Sequence, residues 1–116
     1  MRRKMSIEAD LAVLKEKLAS YKKEEIIFSH HADEQIALRQ GSTDEVVQLI
    51  QNPEKLVFAY SEENDRKQTV YCLYFDKSSQ RTIKLPVIFD KEGRKSLYIL
   101  TYILRYRRWQ SMIRRQ

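Results

Sequence analysis

Apolar residues recur along the first segment at alternating spacings of four and three, at Ile7, Leu11, Leu14, Leu18 and Tyr21, with Glu, Asp and Lys between them. That period predicts an amphipathic helix over 7–21. The stripe covers only two heptads, too few for an isolated coiled coil, so the helix is expected to pack on the domain or on a second copy of the chain. Glu25 to Ser29 reads as a short first strand carrying Ile26, Ile27 and Phe28. From Ala32 to Gln40 the pattern turns helical and Gly41 breaks it. Ser42 with Glu45 then forms a capping-box signature for another helix, carrying Val46, Val47, Leu49 and Ile50 and stopped by Asn52-Pro53.

Four β-rich segments follow: Lys55 to Tyr60, Thr69 to Phe75, Thr82 to Phe89 and Ser96 to Leu104. Ile83, Leu85, Val87 and Phe89 alternate with Thr82, Lys84, Pro86 and Ile88, which predicts one buried face, with Pro86 marking an edge or a bulge. Thr69 to Phe75 is apolar on both faces, as in a central strand covered by helices. Asp76 to Gln80 and Asp90 to Gly93 have the composition of hairpin turns, which joins the last three segments into an antiparallel meander. Ser61 to Asp65 reads as a polar, acidic connection, and Arg105 to Gln116 as a terminal basic helix. Helices and strands are segregated, so the expected class is α+β. The chain divides into an N-terminal amphipathic helix (1–24), a core domain (25–104) and a basic C-terminal helix or tail (105–116).

A chain of 116 residues suffices to bury one core without disulfides or metals. Arg and Lys interrupt every hydrophobic segment, so no membrane span is expected. The lone Cys72 cannot form an internal disulfide, and no signal-peptide pattern is visible; a reducing, cytoplasmic setting is expected. The formal charge of +6 is unevenly spread. Residues 91–116 hold eight Lys or Arg and one acid, for +7, leaving fourteen bases and fifteen acids, for −1, in the first ninety. A local basic patch suits phosphates, and it also suits an acidic protein or anionic headgroups.

Only Gly41 and Gly93 are present, so a phosphate-cradling glycine loop is excluded. His30 and His31 are adjacent, a poor spacing for joint metal ligation, and no Cys-x-x-Cys or His-x-x-x-His occurs; no metal and no cofactor are expected. Cys72 sits in an apolar strand and reads as a buried structural thiol. More informative is His31-Ala32-Asp33-Glu34-Gln35-Ile36-Ala37-Leu38-Arg39, where a histidine opens a helix and an arginine follows two turns later on nearly the same face. An imidazole transfers protons near pH 7, and a guanidinium holds a phosphate or a developing phosphorane. An ordinary helix start and a solvated surface charge are the plainer interpretation of the same two residues.

The order Ile26-Ile27-Phe28-Ser29, His31-Ala32, Arg39, Val46, Asn52-Pro53 and Leu100-Thr101-Tyr102 resembles a small prokaryotic His-Ala-x-x-Arg domain family. That family is similar to RelE/ParE-type toxins, compact α+β proteins many of which cleave messenger RNA without metal, while others poison gyrase. The resemblance covers 25–106. Gln35 stands where the family has its first arginine, and Gln40-Gly41 replaces its usual Gly-Ile turn. The resemblance implies a metal-independent endoribonuclease, with an acidic antitoxin as a partner. Cleavage would use the substrate's 2′-hydroxyl as nucleophile, His31 for proton transfer, Arg39 and Arg81 for phosphate stabilisation and Tyr102 by position, with Asp33 and Glu34 as fallback bases.

The last stretch interleaves Arg105, Tyr106, Arg107, Arg108, Trp109, Arg114 and Arg115. Such a run suits RNA, its arginines neutralising phosphates and its rings stacking on bases. Tyr102, Tyr106, Trp109 and Ile113 also recur at helical spacing, so the aromatics equally describe a packing stripe. Three functions therefore stand open: the endonuclease, a non-catalytic nucleic-acid-binding module, and an interaction protein that docks an acidic partner or forms a homodimer through the 7–21 helix.

Overall fold

The structure, a computed structural model, describes residues 6–78 and 80–112. Asp10 sets where the first helix starts. Its carboxylate accepts the Ala12 and Val13 N–H groups at 2.9 and 3.2 Å, so α1 is Leu11–Ala19. Ile7 is thereby left out of the predicted helix. Ile7–Glu8 is instead a two-residue strand, β1, facing Ser61 and Tyr60. The rest of the stripe packs within the domain: Leu14, Leu18 and Tyr21 are buried in the main core and Leu11 lies at its margin. Leu14→Asp therefore disrupts the core and does not report on a dimer surface.

β2 (Ile26–Phe28), α2 (His30–Leu38) and α3 (Thr43–Gln51) follow as the periodicity predicts. Then come β3 (Leu56–Glu63), β4 (Thr69–Ser78), β5 (Arg81–Phe89), β6 (Leu97–Ile99), β7 (Ile103–Arg105) and α4 (Trp109–Met112). The fold is α+β, with one mostly antiparallel sheet in the order β1-β3-β4-β5-β6-β2 and β7 also on β5; β2 and β6 are its parallel pair. One face carries Leu73, Phe75, Ile83, Leu85, Val87, Leu97 and Ile99 against α1, α2 and α3, as period two requires. The other face carries Val70, Cys72, Tyr74 and Ile88, with Trp109 and Met112 packed on it. Thr69 to Phe75 is thus apolar on both sides, but helices of the N-terminal half cover only one.

Four expectations need correction. Ser61 to Glu63 continues β3, paired with Tyr71, Val70 and Thr69, and is not part of a loop. Ser96 to Leu104 is two strands: β6 pairs with Val87 to Phe89 and β7 with Thr82 to Lys84. Pro86 lies in this interior strand, at the gap between those two partners. Its carbonyl accepts from Leu100 N–H at 2.9 Å, and the N–H it lacks would point toward the same interruption, so the ladder tolerates it. Finally, Arg105 to Gln116 is not one helix. Arg105 closes β7 and a bend precedes α4, while Arg114 and Arg115 lie outside the described residues. No helix among the described residues is long and apolar enough to cross a membrane.

The turn into β6 is tied to α1. Asp90 and Glu92 both adopt left-handed backbone, at φ 51° and 59°. The Asp90 carboxylate accepts from Lys17 Nζ at 3.0 Å, Tyr21 OH at 2.8 Å and Ser96 N–H at 3.2 Å. Burial pushes the carboxyl upward, but these donors outweigh it and hold Asp90 below its ordinary value. A depressed folded-state pKa contributes stability above the unfolded value, which is lost as pH falls through the folded one. Asp90→Asn is accordingly expected to be less stable than the parent at neutral pH. The gap should shrink below about pH 4, read by urea denaturation at several pH values.

Candidate nucleic-acid interface

The site is built around the corner where α2 turns into α3. Gln40 N–H donates to Ala37 O at 3.1 Å and Gly41 N–H to Ile36 O at 2.9 Å, the paired bonds of a Schellman end. Gln40 takes the left-handed position, φ 58°, that glycine usually holds, and Arg39 caps the helix with its side chain exposed. Gly41 answers a different need: a Cβ there would stand 3.1 Å from the Tyr102 hydroxyl and 3.5 Å from Ile36 Cγ2. Gln40→Gly should therefore raise stability by about 1 kcal/mol in thermal or urea melts.

Tyr102 is fully buried, and its hydroxyl is the one buried side-chain polar atom among the described residues without a hydrogen-bond partner. Burial raises its pKa, the fields of Glu45 and Tyr106 add to that, and Arg39 opposes it. The turn after α2 comes against this hydroxyl at Gly41, two residues beyond Arg39. Glu45 pairs with Lys77 at 2.8 Å, both half-buried. Only half of the predicted capping box forms: Ser42 Oγ accepts the Glu45 N–H at 3.1 Å, while the Glu45 carboxylate is turned to Lys77.

The end of the sheet completes the corner. Arg81 opens β5 and places its guanidinium 5.0 Å from the ring centroid of Tyr106, which is 66% exposed. Register sets Arg105 opposite Thr82, and the buried Thr82 hydroxyl donates to Arg107 O at 2.9 Å. Residues 105–107 are thereby fixed to the start of β5, with Arg105, Arg107 and Arg108 all exposed. Arg81, Arg105, Arg107 and Arg108 thus lie at one end of the sheet, and Arg39 caps the helix whose following turn meets Tyr102. An exposed ring under a guanidinium, with further arginines along the same segment, has the chemistry to meet a phosphate and to offer a stacking face to a base.

The expected residues divide accordingly. Arg81 meets the basic segment at Tyr106, Tyr102 is buried against the turn at Gly41 and presents no surface to a ligand, and Arg39 is exposed two residues before that glycine. His31 does not join them. It is exposed in the first turn of α2, about 12 Å along the axis from Arg39, and its neighbour His30 pairs with Glu34 at 3.1 Å. Asp33 and Glu34 are exposed in the same turns as His31. Trp109 is half-buried and stacked on Phe58, at 5.4 Å between centroids and 15° between planes, so its ring is already taken. Tyr102, Tyr106 and Trp109 form no single stripe, because strand β7 and a bend separate them. Lys77 and Glu45 had no sequence signal linking them. Among the described residues no three His, Cys, Asp or Glu side chains are grouped to hold a metal. In comparisons with known proteins, no family model, no curated protein and no solved structure matches the chain.

Proposed function

We propose that this chain binds single-stranded nucleic acid, with RNA its first candidate, through the arginine corner around Tyr106. One observation carries the reading: Arg81, distant in sequence, joins the basic C-terminal segment where Tyr106 lies exposed beneath its guanidinium. The arginines hold successive phosphates and the Tyr106 ring takes a base. Such binding tolerates sequence and weakens steeply with salt.

Metal-independent cleavage, the activity implied by the resemblance to RelE/ParE-type toxins, is a second reading. It is favoured by Arg81 lying beside the basic segment 105–108, since guanidinium groups can stabilise a phosphorane. It is disfavoured by the position of His31, since a proton-transfer group must come within about 3 Å of the reacting oxygen. The Glu45 carboxylate, at the start of α3, is engaged by Lys77.

The test is to incubate the protein with a short labelled oligoribonucleotide in EDTA at rising salt, following anisotropy and strand integrity together. Binding is expected with the strand intact and with affinity falling at least tenfold between about 50 and about 200 mM salt. Cleavage lost on Arg39→Ala would establish the second reading. No binding at the lower salt would reject both and leave the docking of an acidic protein partner.

A further inference from the structure

The sheet face opposite α1–α3 has the composition of a ligand site, and the chain's own tryptophan occupies it. Phe58 lies at its centre, with Trp109 stacked on it in near-parallel planes and Tyr74 meeting its edge at 5.6 Å and 64°. Lys84 stands beside them, its ammonium 5.5 Å from the Tyr74 centroid and 6.0 Å from that of Tyr60. It is half-buried and, among the described residues, has no carboxylate within ion-pair distance. An ammonium set against two aromatic rings, with no ion-pair partner among the described residues, is an unusual floor for a purely apolar contact. It is a fitting floor for an anionic, planar ligand.

The cover over this floor is slight. α4 is four residues long, and both hydrogen bonds of Ser111 return to Arg108 O within the same segment. No hydrogen bond ties α4 to the sheet among the described residues; Trp109 and Met112 hold it by packing alone. Of the corner's cations Arg105 shares this face, since Lys84 sits opposite Ile103 in the ladder that sets Arg105 opposite Thr82, while Arg81 and Tyr106 lie round the sheet end on the other.

We propose that this face is a nucleotide subsite in which Trp109 stands in for a base: a base of the bound strand displaces the indole from Phe58, and Lys84 takes the adjoining phosphate. This rests on the nucleic-acid reading above and extends it from the corner onto the sheet. Base–aromatic stacking on Phe58 replaces indole–aromatic stacking, so the exchange is nearly balanced, and the Lys84–phosphate contact tips it. Trp109 then acts as a competitor, in contrast to a ring that itself stacks on RNA.

The two roles predict opposite signs. Trp109→Ala, checked for folding by circular dichroism, should bind a short labelled oligouridylate about tenfold more tightly than the parent, and adding Lys84→Gln should remove the gain. Met112→Ser, which keeps every ring and cation and only loosens α4, should move affinity in the same direction. Trp109 is the only tryptophan in the chain, so its emission reports directly: a red shift as oligouridylate is added to the parent is expected when the indole leaves Phe58 for water. Unchanged or weakened affinity in both variants, or quenching without a red shift, would overturn the subsite while leaving the arginine corner standing. Dimerisation of Trp109→Ala without a gain in affinity would also overturn it, and would assign the face to a second copy. If neither parent nor variant binds, the nucleic-acid reading itself fails.

Discussion

Alanine at Arg39, Arg81, Arg107 and Arg108 together is expected to lower the affinity for single-stranded RNA about 100-fold, with the fold retained. None of the four side chains is buried, so their loss leaves the core alone. Arg81→Ala also removes the guanidinium above Tyr106 and with it the cation–π contact. For a single strand each lost phosphate contact reduces the slope of log K against log salt by about 0.7, so the combined variant should be flatter by nearly 3. That slope change separates lost phosphate contacts from a general loss of protein, which would leave the slope as it was. His31→Ala serves as the internal comparison and should match the parent in both affinity and slope, because His31 lies at the far end of α2. An equal loss on His31→Ala would move the site along that helix.

Gly41→Ala is expected to destabilise the parent by about 2 kcal/mol, and to do so far less in a Tyr102→Phe background. The new methyl would meet the Tyr102 oxygen at 3.1 Å, and that ring is fully buried among Ile36 and its neighbours, so it has little room to retreat. Phenylalanine removes the oxygen that the methyl meets. Tyr102→Phe alone should raise stability by about 1 kcal/mol, since it deletes a buried hydroxyl that has no partner. The four proteins form a double-mutant cycle read by urea denaturation, with a coupling of about 1–2 kcal/mol. A coupling near zero would mean that the ring yields to the methyl without cost. A destabilising Tyr102→Phe would mean that the hydroxyl is satisfied inside the fold.

Much of the architecture was legible from local pattern, because period and punctuation act locally. α3 was bounded by Ser42 and Asn52, where the helix does start and stop, whereas Ser29, read as the end of a strand, turned out to cap α2. The central strands announced themselves by alternation at Ile83, Leu85 and Val87. Sequence failed where a side chain's partner lies elsewhere in the chain. Ile7 fits the helical stripe, but Asp10 caps three residues later and strand β3 offers Ile7 a ladder. Gly41 had the look of a helix stop, whereas Gln40 makes the stop and Gly41 is required by a ring sixty residues on. The site shows the same division. The C-terminal charge run was plain, but nothing local could show that Arg81 would join it, or that Trp109 would stack on Phe58 and leave Tyr106 exposed.

The location of the binding surface is tested most directly by titrating isotopically labelled protein with a short oligoribonucleotide and following its backbone amides by nuclear magnetic resonance. The largest shifts are expected in residues 39–42, 80–82 and 105–108, moving together along one isotherm, with residues 30–34 still. Largest shifts in 30–34, or none anywhere at low salt and excess RNA, would contradict the arginine corner as the site of binding.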